Sequence, residues 1–418
     1  MSDTKPTASK ARLKVVIVDD EKRSETWARG IQAIVGDSAD VIALDLDNVR
    51  KEVGAIFNRR RKFGEDNSIA LVEDCGIDST FDDTHVLILD YDLRHMDEAS
   101  SEWTTGSEVA MAARAYSTVG TIVLVNRTGN NKFDLTMKKI RGSKADVEIG
   151  AMQVTNPGLW TVSGYEGYRP WSWPALLEDH LRYEEAANWV EARMDQPIFK
   201  SLELRKESDP DEMRVRKEHW LDLGIDPNTD SYIDLIAKNQ YLPPRDREAI
   251  LRDKKQSARV AAAILRFWFD KVLVPSQDFL IDAPHLAYLM PWLLGDVNSS
   301  QCWNIAANFC KPLSAFKADI QKYAYKFECF LSRPAFFRGP LADDGNTREP
   351  SGFNYNEIPD LVFCEDVSRF LEFPSARPFA CSLDSEETQR YVCDPDVFTE
   401  GKFKASEVEY EPSALFAL

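Results

Sequence analysis

Cysteine and histidine are scarce in this chain, which has seven cysteines and five histidines among 418 residues. The cysteines are widely scattered, their number is odd, and none belongs to a CxxC pair. Zinc sites and disulfide frameworks both need Cys or His residues in recognisable spacings. The sequence therefore predicts neither kind of site. Reduced, buried thiols in a cytoplasmic protein are the simpler interpretation.

Long apolar stretches and net positive charge are also lacking. No apolar run approaches the roughly 20 residues that a transmembrane helix needs. The formal net charge is −18, and the second half of the chain is acidic as well. Because affinity for nucleic-acid phosphates depends on lysine and arginine, this charge disfavours a nucleic-acid partner. The sequence predicts a cytoplasmic protein with neither a membrane nor a nucleic-acid partner.

The length of the chain predicts more than one domain. At about 150 residues per domain, 418 residues correspond to two or three domains. Residues 1–12 are polar, contain no apolar segment of the secretory-signal type, and are predicted to be a disordered lead-in. The pattern of the remaining chain predicts one domain over residues 13–185 and a second over residues 186–418.

Strand and helix patterns alternate over residues 13–185. The predicted strands are 15–18, 41–44, 86–89, 121–125 and 159–162. The predicted helices are 21–35, 48–63, 108–116 and a segment that begins at Pro174. Repeated alternation of this kind is typical of the α/β class, here a doubly wound, five-stranded parallel sheet. Long connections before the third strand and between the last two predict insertions.

Acidic residues stand at the ends of two of these strands. Asp19 and Asp20 follow the first strand in VVIVDDE, and Asp90 and Asp92 follow the third in LILDYDL. The carboxyl ends of parallel strands meet at the edge of the sheet where ligands bind. Carboxylates that converge there repel one another until a hard cation such as Mg²⁺ neutralises them. The alternative is that these residues are helix caps with no further role.

These motifs resemble the receiver domain of bacterial response regulators, which has a flavodoxin-like fold. The resemblance also rests on Thr105-Gly106 at the start of a helix and on RPWSWPALLEDHL near the end of the domain, and it covers about residues 13–185. It implies that Asp90 is the phosphoacceptor and a metal ligand. It further implies that Asp19, Asp20 and the main-chain carbonyl of Asp92 hold Mg²⁺.

Two further site residues are implied by the same resemblance, and both depart from the family's pattern. Asn126 stands where the family has Thr or Ser, whose hydroxyl responds to the phosphoryl group. Arg169 stands where the family has Lys, and a guanidinium differs from an ammonium in shape and reach. Thr128, Tyr165 and Tyr168 are candidates to substitute for the missing hydroxyl and the switch aromatic.

The resemblance leaves two functional hypotheses. In the first, the chain is a response-regulator-like signalling protein, phosphorylated on Asp90 by a histidine kinase or a phosphotransfer protein. In the second, it is a degenerate receiver that acts as a scaffold or adaptor in a multi-protein complex. The substitutions at Asn126 and Arg169 and the insertions favour the second hypothesis.

Residues 186–418 resemble no family that we recognise. They predict a mainly helical domain with a mixed α+β tail, and the predicted helices are 233–239, 245–252, 257–272, 279–294 and 305–330. No nucleophile and base stand in a recognisable constellation. We therefore predict an effector or interaction domain that binds protein partners, and no enzymatic activity beyond self-phosphorylation of the receiver.

Two other motifs have competing interpretations. Asp45-Leu46-Asp47-Asn48 resembles the opening motif of haloacid-dehalogenase-type phosphatases, with Asp45 as nucleophile and Asp47 as acid. The later motifs that this family requires are not clearly present. The basic run 59–62 could bind a phosphate or an acidic partner, but it more simply predicts a solvated helix end that interacts favourably with the helix dipole, so no function is assigned to it.

Overall fold

The computed structural model describes most of residues 12–296 and short segments beyond them. The described residues are 12–66, 68–69, 72–93, 105–126, 145–151, 154–155, 160, 176–202, 220–269, 280–281, 291–296, 328–331, 336–337, 354, 356, 360–364, 369–378 and 391–393. The predicted lead-in lies outside them except for Arg12, whose guanidinium contacts Asp37 and Asp40.

A parallel sheet forms the centre of the N-terminal part, with five strands in the order β2-β1-β3-β4-β5. Its strands are β1 Leu13–Val18, β2 Ala39–Ala43, β3 Val86–Asp90, β4 Thr121–Asn126 and β5 Val147–Gly150. Ile17 pairs with Ile88, which pairs with Val123 on its other side. Central strands covered on both faces are near-continuous apolar runs, and β3 is buried throughout. The predicted α/β class and parallel sheet are confirmed.

Helices cover both faces of this sheet. The four helices are α1 Arg23–Val35, α2 Leu46–Glu65, α3 Gly106–Tyr116 and α4 Leu176–Glu191. On one face, α1 and α4 pack against the odd-numbered positions of β1, such as Val15 and Ile17. On the other face, α2 and α3 pack against Val16 and Val18. Since successive strand residues point to opposite faces, one strand supplies both cores.

The fifth strand lies earlier in the chain than predicted. β5 pairs with β4 through Val125 and Ile149, whereas Trp160, inside the predicted strand 159–162, has a helical backbone. The other three residues of that predicted strand lie outside the described residues. Trp160 is buried and donates its indole N–H to the carbonyl of Val154 at 2.6 Å. The apolar residues around Trp160 were predicted as a strand, whereas Trp160 itself is a buried residue outside any strand. Periodicity alone cannot distinguish these two cases in a short apolar run.

The predicted boundary at residue 185 lies within α4, which continues to Glu191. The helices that follow are α5 Ile198–Ser201, α6 Tyr232–Lys238, α7 Pro244–Arg252 and α8 Lys254–Trp268. A single apolar core joins α4 to α8 and also includes Phe63 and Tyr116 from the sheet's own helices. α8 overlaps the predicted helix 257–272, and twelve of its residues are buried.

The C-terminal end of α2 is joined to α7 by polar contacts to the buried carboxylate of Asp246. Arg60 donates from Nε and Nη2 to the carboxylate of Asp246 at 2.8 and 2.7 Å, and the Tyr116 hydroxyl donates to the same carboxylate at 2.7 Å. Arg59 is buried and pairs with Asp82. The predicted solvated helix end at residues 59–62 is therefore wrong for these two arginines, because Arg59 is buried and Arg60 is half-buried, each paired with an aspartate distant in sequence.

A second junction holds α8 against the edge where the strands begin. Arg266 pairs with Asp179 of α4, which also accepts a hydrogen bond from Thr121 at the first position of β4. Arg259 donates to the carbonyls of Thr118 and Val119, just before β4. The helical region is thus attached to the edge of the sheet opposite the one where Asp90 lies.

Short strands dominate the described residues after α8. They are β6 Leu280–Ile281, β7 Phe336–Phe337, β8 Leu361–Cys364, β9 Arg369–Glu372, β10 Ala376–Pro378 and β11 Tyr391–Cys393. The predicted helix 279–294 is wrong, because it contains β6 and, from Pro291, the beginning of a 3₁₀ turn. Most of the predicted helix 305–330 lies outside the described residues. Within the described part of the chain, no helix is both long and apolar enough to cross a membrane.

Candidate functional site

Three aspartates stand where the first and third strands end. β1 ends at Val18, so Asp19 and Asp20 directly follow it, and Asp90 is the last residue of β3. β1 and β3 are hydrogen-bonded neighbours in the same direction, with Val18 opposite Leu89. Parallel pairing therefore brings the carboxyl ends of both strands to one edge. The local sequence, apolar runs followed by acids, is what carries these side chains to that edge.

The carboxylates of Asp19, Asp20 and Asp90 converge. One oxygen from each of them lies within 4.8 Å of the other two. The three residues are 1%, 7% and 0% exposed. The main-chain N–H of Glu21 donates to Asp19 at 3.1 Å and helps to orient that side chain. The described chain has no other group of three Asp, Glu, His or Cys side chains close enough to share an ion.

The donor set fits a hard divalent cation. Metal–oxygen distances near 2.1 Å for Mg²⁺ or 2.4 Å for Ca²⁺ let ligand oxygens around one ion lie up to about 4 to 5 Å apart. The separation of the three carboxylates is within that range. Oxygen ligands without nitrogen or sulfur suit Mg²⁺, Ca²⁺ or Mn²⁺ rather than zinc. Buried like charges at this distance repel one another, and a dication relieves that repulsion.

The segment that follows Asp90 is held by the start of α3. Asp92 forms an isolated antiparallel bridge with Thr105, and the N–H of Gly106 donates to the carbonyl of Tyr91 at 2.9 Å. Thr105 caps α3 in a reciprocal capping box with Glu108. Asp92 is partly exposed, and its main-chain role as a metal ligand stays a prediction.

The other predicted site residues are placed less completely. Asn126 is the last residue of β4 and pairs with Gly150, so its main chain lies at the same edge of the sheet as Asp90. Arg169 lies outside the described residues. Its assignment assumed a fifth strand at 159–162, whereas β5 ends at Gly150, and the role of Arg169 stays a prediction. The remaining candidates also lie outside the described residues; they are Thr128, Tyr165 and Tyr168.

Asp45, the nucleophile of the alternative phosphatase hypothesis, caps α2. Its carboxylate accepts hydrogen bonds from the main-chain N–H of Asn48 at 2.8 Å and from the Asn48 side chain at 3.0 Å. Both Asp45 and Asp47 are exposed, and β2, which precedes them, is an edge strand. Helix capping explains Asp45 without a catalytic role.

Comparisons with known proteins provide no functional assignment for this chain. No protein-family model, no curated protein and no solved structure matches the chain. The assignment of a function therefore depends on the residues at this edge of the sheet and on the fold that positions them.

Sequence reasoning identified Gly106 as part of a helix start but missed its contact with Asp90. A Cβ atom added to Gly106 would lie 2.0 Å from the main-chain oxygen of Asp90. The signal in the sequence is a glycine at the first position of a helix that follows an acid-ended strand. Only the fold shows that this glycine faces the strand end.

Proposed function

We propose that the N-terminal part of the chain is a receiver-like module in which Asp90 accepts a phosphoryl group. The observation that carries this proposal is the convergence of Asp19, Asp20 and Asp90 at one edge of a parallel sheet. The strand order, with β1 between β2 and β3, is the one in which flavodoxin-like folds place their ligand at the β1/β3 edge.

In this proposal each carboxylate has a separate role. An oxygen of Asp90 attacks the phosphorus of a donor, a new P–O bond forms, and the bond to the donor's leaving group breaks. Asp19 and Asp20, with the main-chain carbonyl of Asp92, would hold Mg²⁺. When bound, the cation offsets the charge of the transferred phosphoryl oxygens. Asn126, the last residue of the neighbouring strand β4, would offer its side-chain amide to that group.

The proposed biological role is signalling in the bacterial cytoplasm. A histidine kinase or a phosphotransfer protein would supply the phosphoryl group, and the helical region would bind protein partners. Charge added at Asp90 would shift an existing equilibrium between two conformations. Membrane and nucleic-acid partners have no part in this proposal.

The test is incubation of the full chain with Mg²⁺ and acetyl phosphate, followed by intact-mass measurement. We expect a mass increase of one phosphoryl group that is absent in Asp90→Asn. Asp45→Asn is the matched control, because asparagine keeps the helix cap and removes only the second candidate nucleophile. Loss of the modification in Asp45→Asn instead of Asp90→Asn would support the phosphatase-like alternative and overturn this assignment.

The scaffold hypothesis is favoured by one specific observation. β5 ends at Gly150, and the sequence contains no lysine or arginine from residue 145 to residue 168. A basic residue directly after the last strand, which phosphoryl transfer in receivers uses, is thus missing from its usual register. Cation binding without any phosphorylation of Asp90 would support the scaffold. A pull-down that compares wild type with Asp90→Ala would then identify partners that depend on this edge.

A further inference from the structure

Gly106, the first residue of α3, lies directly against the main chain of Asp90. An added Cβ would lie 2.0 Å from the Asp90 carbonyl oxygen, 2.8 Å from its carbonyl carbon and 2.9 Å from a methyl group of Leu124. Real Cβ atoms do not come within 3.0 Å of other heavy atoms. Any side chain at position 106 therefore requires either Asp90 or α3 to move.

Hydrogen bonds resist movement on both sides of this contact. The N–H of Gly106 donates to the carbonyl of Tyr91, and the N–H of Tyr91 donates to the carbonyl of Val125 in β4 at 2.8 Å. Thr105 is bridged to Asp92 and caps α3. The start of α3 and the end of β3 are consequently locked together at the spacing that glycine allows.

We infer that Gly106 is a positioning residue for the cation site. The absence of a side chain lets α3 hold the main chain of Asp90 where its carboxylate meets those of Asp19 and Asp20. The inference rests on the proposed function, since it requires these carboxylates to bind a divalent cation.

The size of the effect follows from the distances. Relief of the 2.0 Å contact requires a displacement on the order of 1 Å, whereas metal–ligand distances tolerate about 0.2 Å. Mg²⁺ demands near-ideal octahedral geometry, while Ca²⁺ accepts longer and more variable distances. A displaced Asp90 should therefore harm Mg²⁺ binding more than Ca²⁺ binding. General destabilisation of the fold would not change the preference between the two cations.

The experiment measures the dissociation constants of Mg²⁺ and Ca²⁺ for the full chain by titration calorimetry. We expect Gly106→Ala to weaken Mg²⁺ binding at least about tenfold and Ca²⁺ binding less, so that the Mg²⁺/Ca²⁺ affinity ratio falls. Mg²⁺ affinity equal to that of wild type would overturn the inference. Absence of binding of either cation to wild type would instead refute the proposed function.

Gly120 offers a matched control at the other end of the same strand. A Cβ there would lie 2.4 Å from the main-chain oxygen of His85, directly before β3. Gly120→Ala should lower the melting temperature without changing either dissociation constant, and an equal loss of Mg²⁺ affinity would overturn the inference. If Gly106→Ala does not fold, Thr105→Ala loosens the start of α3 without a clash. It should weaken Mg²⁺ binding about threefold, and unchanged affinity would count against the inference.

Discussion

The ion pair between Asp179 of α4 and Arg266 of α8 attaches the helical region to the sheet, and its removal tests that attachment. Asp179 accepts from both terminal nitrogens of Arg266, at 3.2 and 2.5 Å, and from the Thr121 hydroxyl at 2.9 Å. The two charged residues are only 1% and 6% exposed. In Asp179→Ala, the buried guanidinium would lose this ion pair.

The expected loss of stability is large. Removal of one partner of a buried ion pair costs about 3 to 5 kcal/mol, because the other charge is left uncompensated. Burial by itself would raise the pKa of Asp179, but Arg266, together with the charge of Arg182 and the hydrogen bond from Thr121, outweighs burial, and the pKa lies below its usual value. The ordinary pKa of an aspartate, which applies to the unfolded chain, is 3.8. The stabilisation by the pair is therefore fully present above pH 3.8 and is lost as the pH falls through the lower pKa of the folded state.

Urea unfolding, followed by tryptophan fluorescence and by circular dichroism, measures this loss. The double variant Asp179→Leu, Arg266→Met removes both charges, and we expect it to lie within about 1 kcal/mol of wild type. Arg12→Ala, which removes two exposed ion pairs, should leave the midpoint unchanged. A loss below about 1 kcal/mol in Asp179→Ala, or a double variant as unstable as the single one, would refute the reasoning.

Three further predictions concern other charged sites. Burial lowers the pKa of His85 and His180, whose rings lie 4.9 Å apart. Below pH 6.5 the unfolded state therefore binds more protons than the folded state, and the melting temperature should decrease as the pH is lowered from 6.5. His180→Gln should make the melting temperature less dependent on pH in this range. An unchanged dependence would show that titratable groups other than this histidine pair cause it. Asp90→Asn removes one of three repelling carboxylates, so its melting temperature without metal should be higher than that of wild type and should not rise further with Mg²⁺. A rise in melting temperature with Mg²⁺ as large as that of wild type would argue against a shared site. Asp246→Asn should cost about 3 kcal/mol in urea unfolding, against about 1 kcal/mol for the control Tyr116→Phe, and equal small losses would show that the Arg60 pair contributes little.

The parts of the fold that the sequence predicted are those with strong local signals. β3 is a continuous apolar run, and α1 has its apolar residues Trp27 and Ile31 on one helical stripe. β5 is only four residues long and contains a charged residue, so its local signal is weak. Trp160 was mistaken for a strand residue because burial by tertiary contacts looks the same as burial in a sheet.

The same distinction between local and distant signals applies to the residues of the candidate site. Asp19, Asp20 and Asp90 were found because strand ends and acids can be recognised locally, and parallel pairing then brings them together. The ion pair of the half-buried Arg60 was missed because the partner, Asp246, lies far away along the chain. The close contact of Gly106 with Asp90 likewise depends on how α3 packs against the sheet, and no local sequence pattern predicts that packing.

Both ends of α3 are anchored, with a consequence for how any signal could leave the acidic edge. Its first turn is fastened to Asp92 through Thr105, while at its last turn Gln256 of α8 donates to the carbonyls of Arg114 and Ser117. A helix pinned at both ends cannot slide or tilt without breaking buried hydrogen bonds. Under the proposed function, a conformational change that starts at Asp90 would therefore leave α3 in place and shift other elements relative to it.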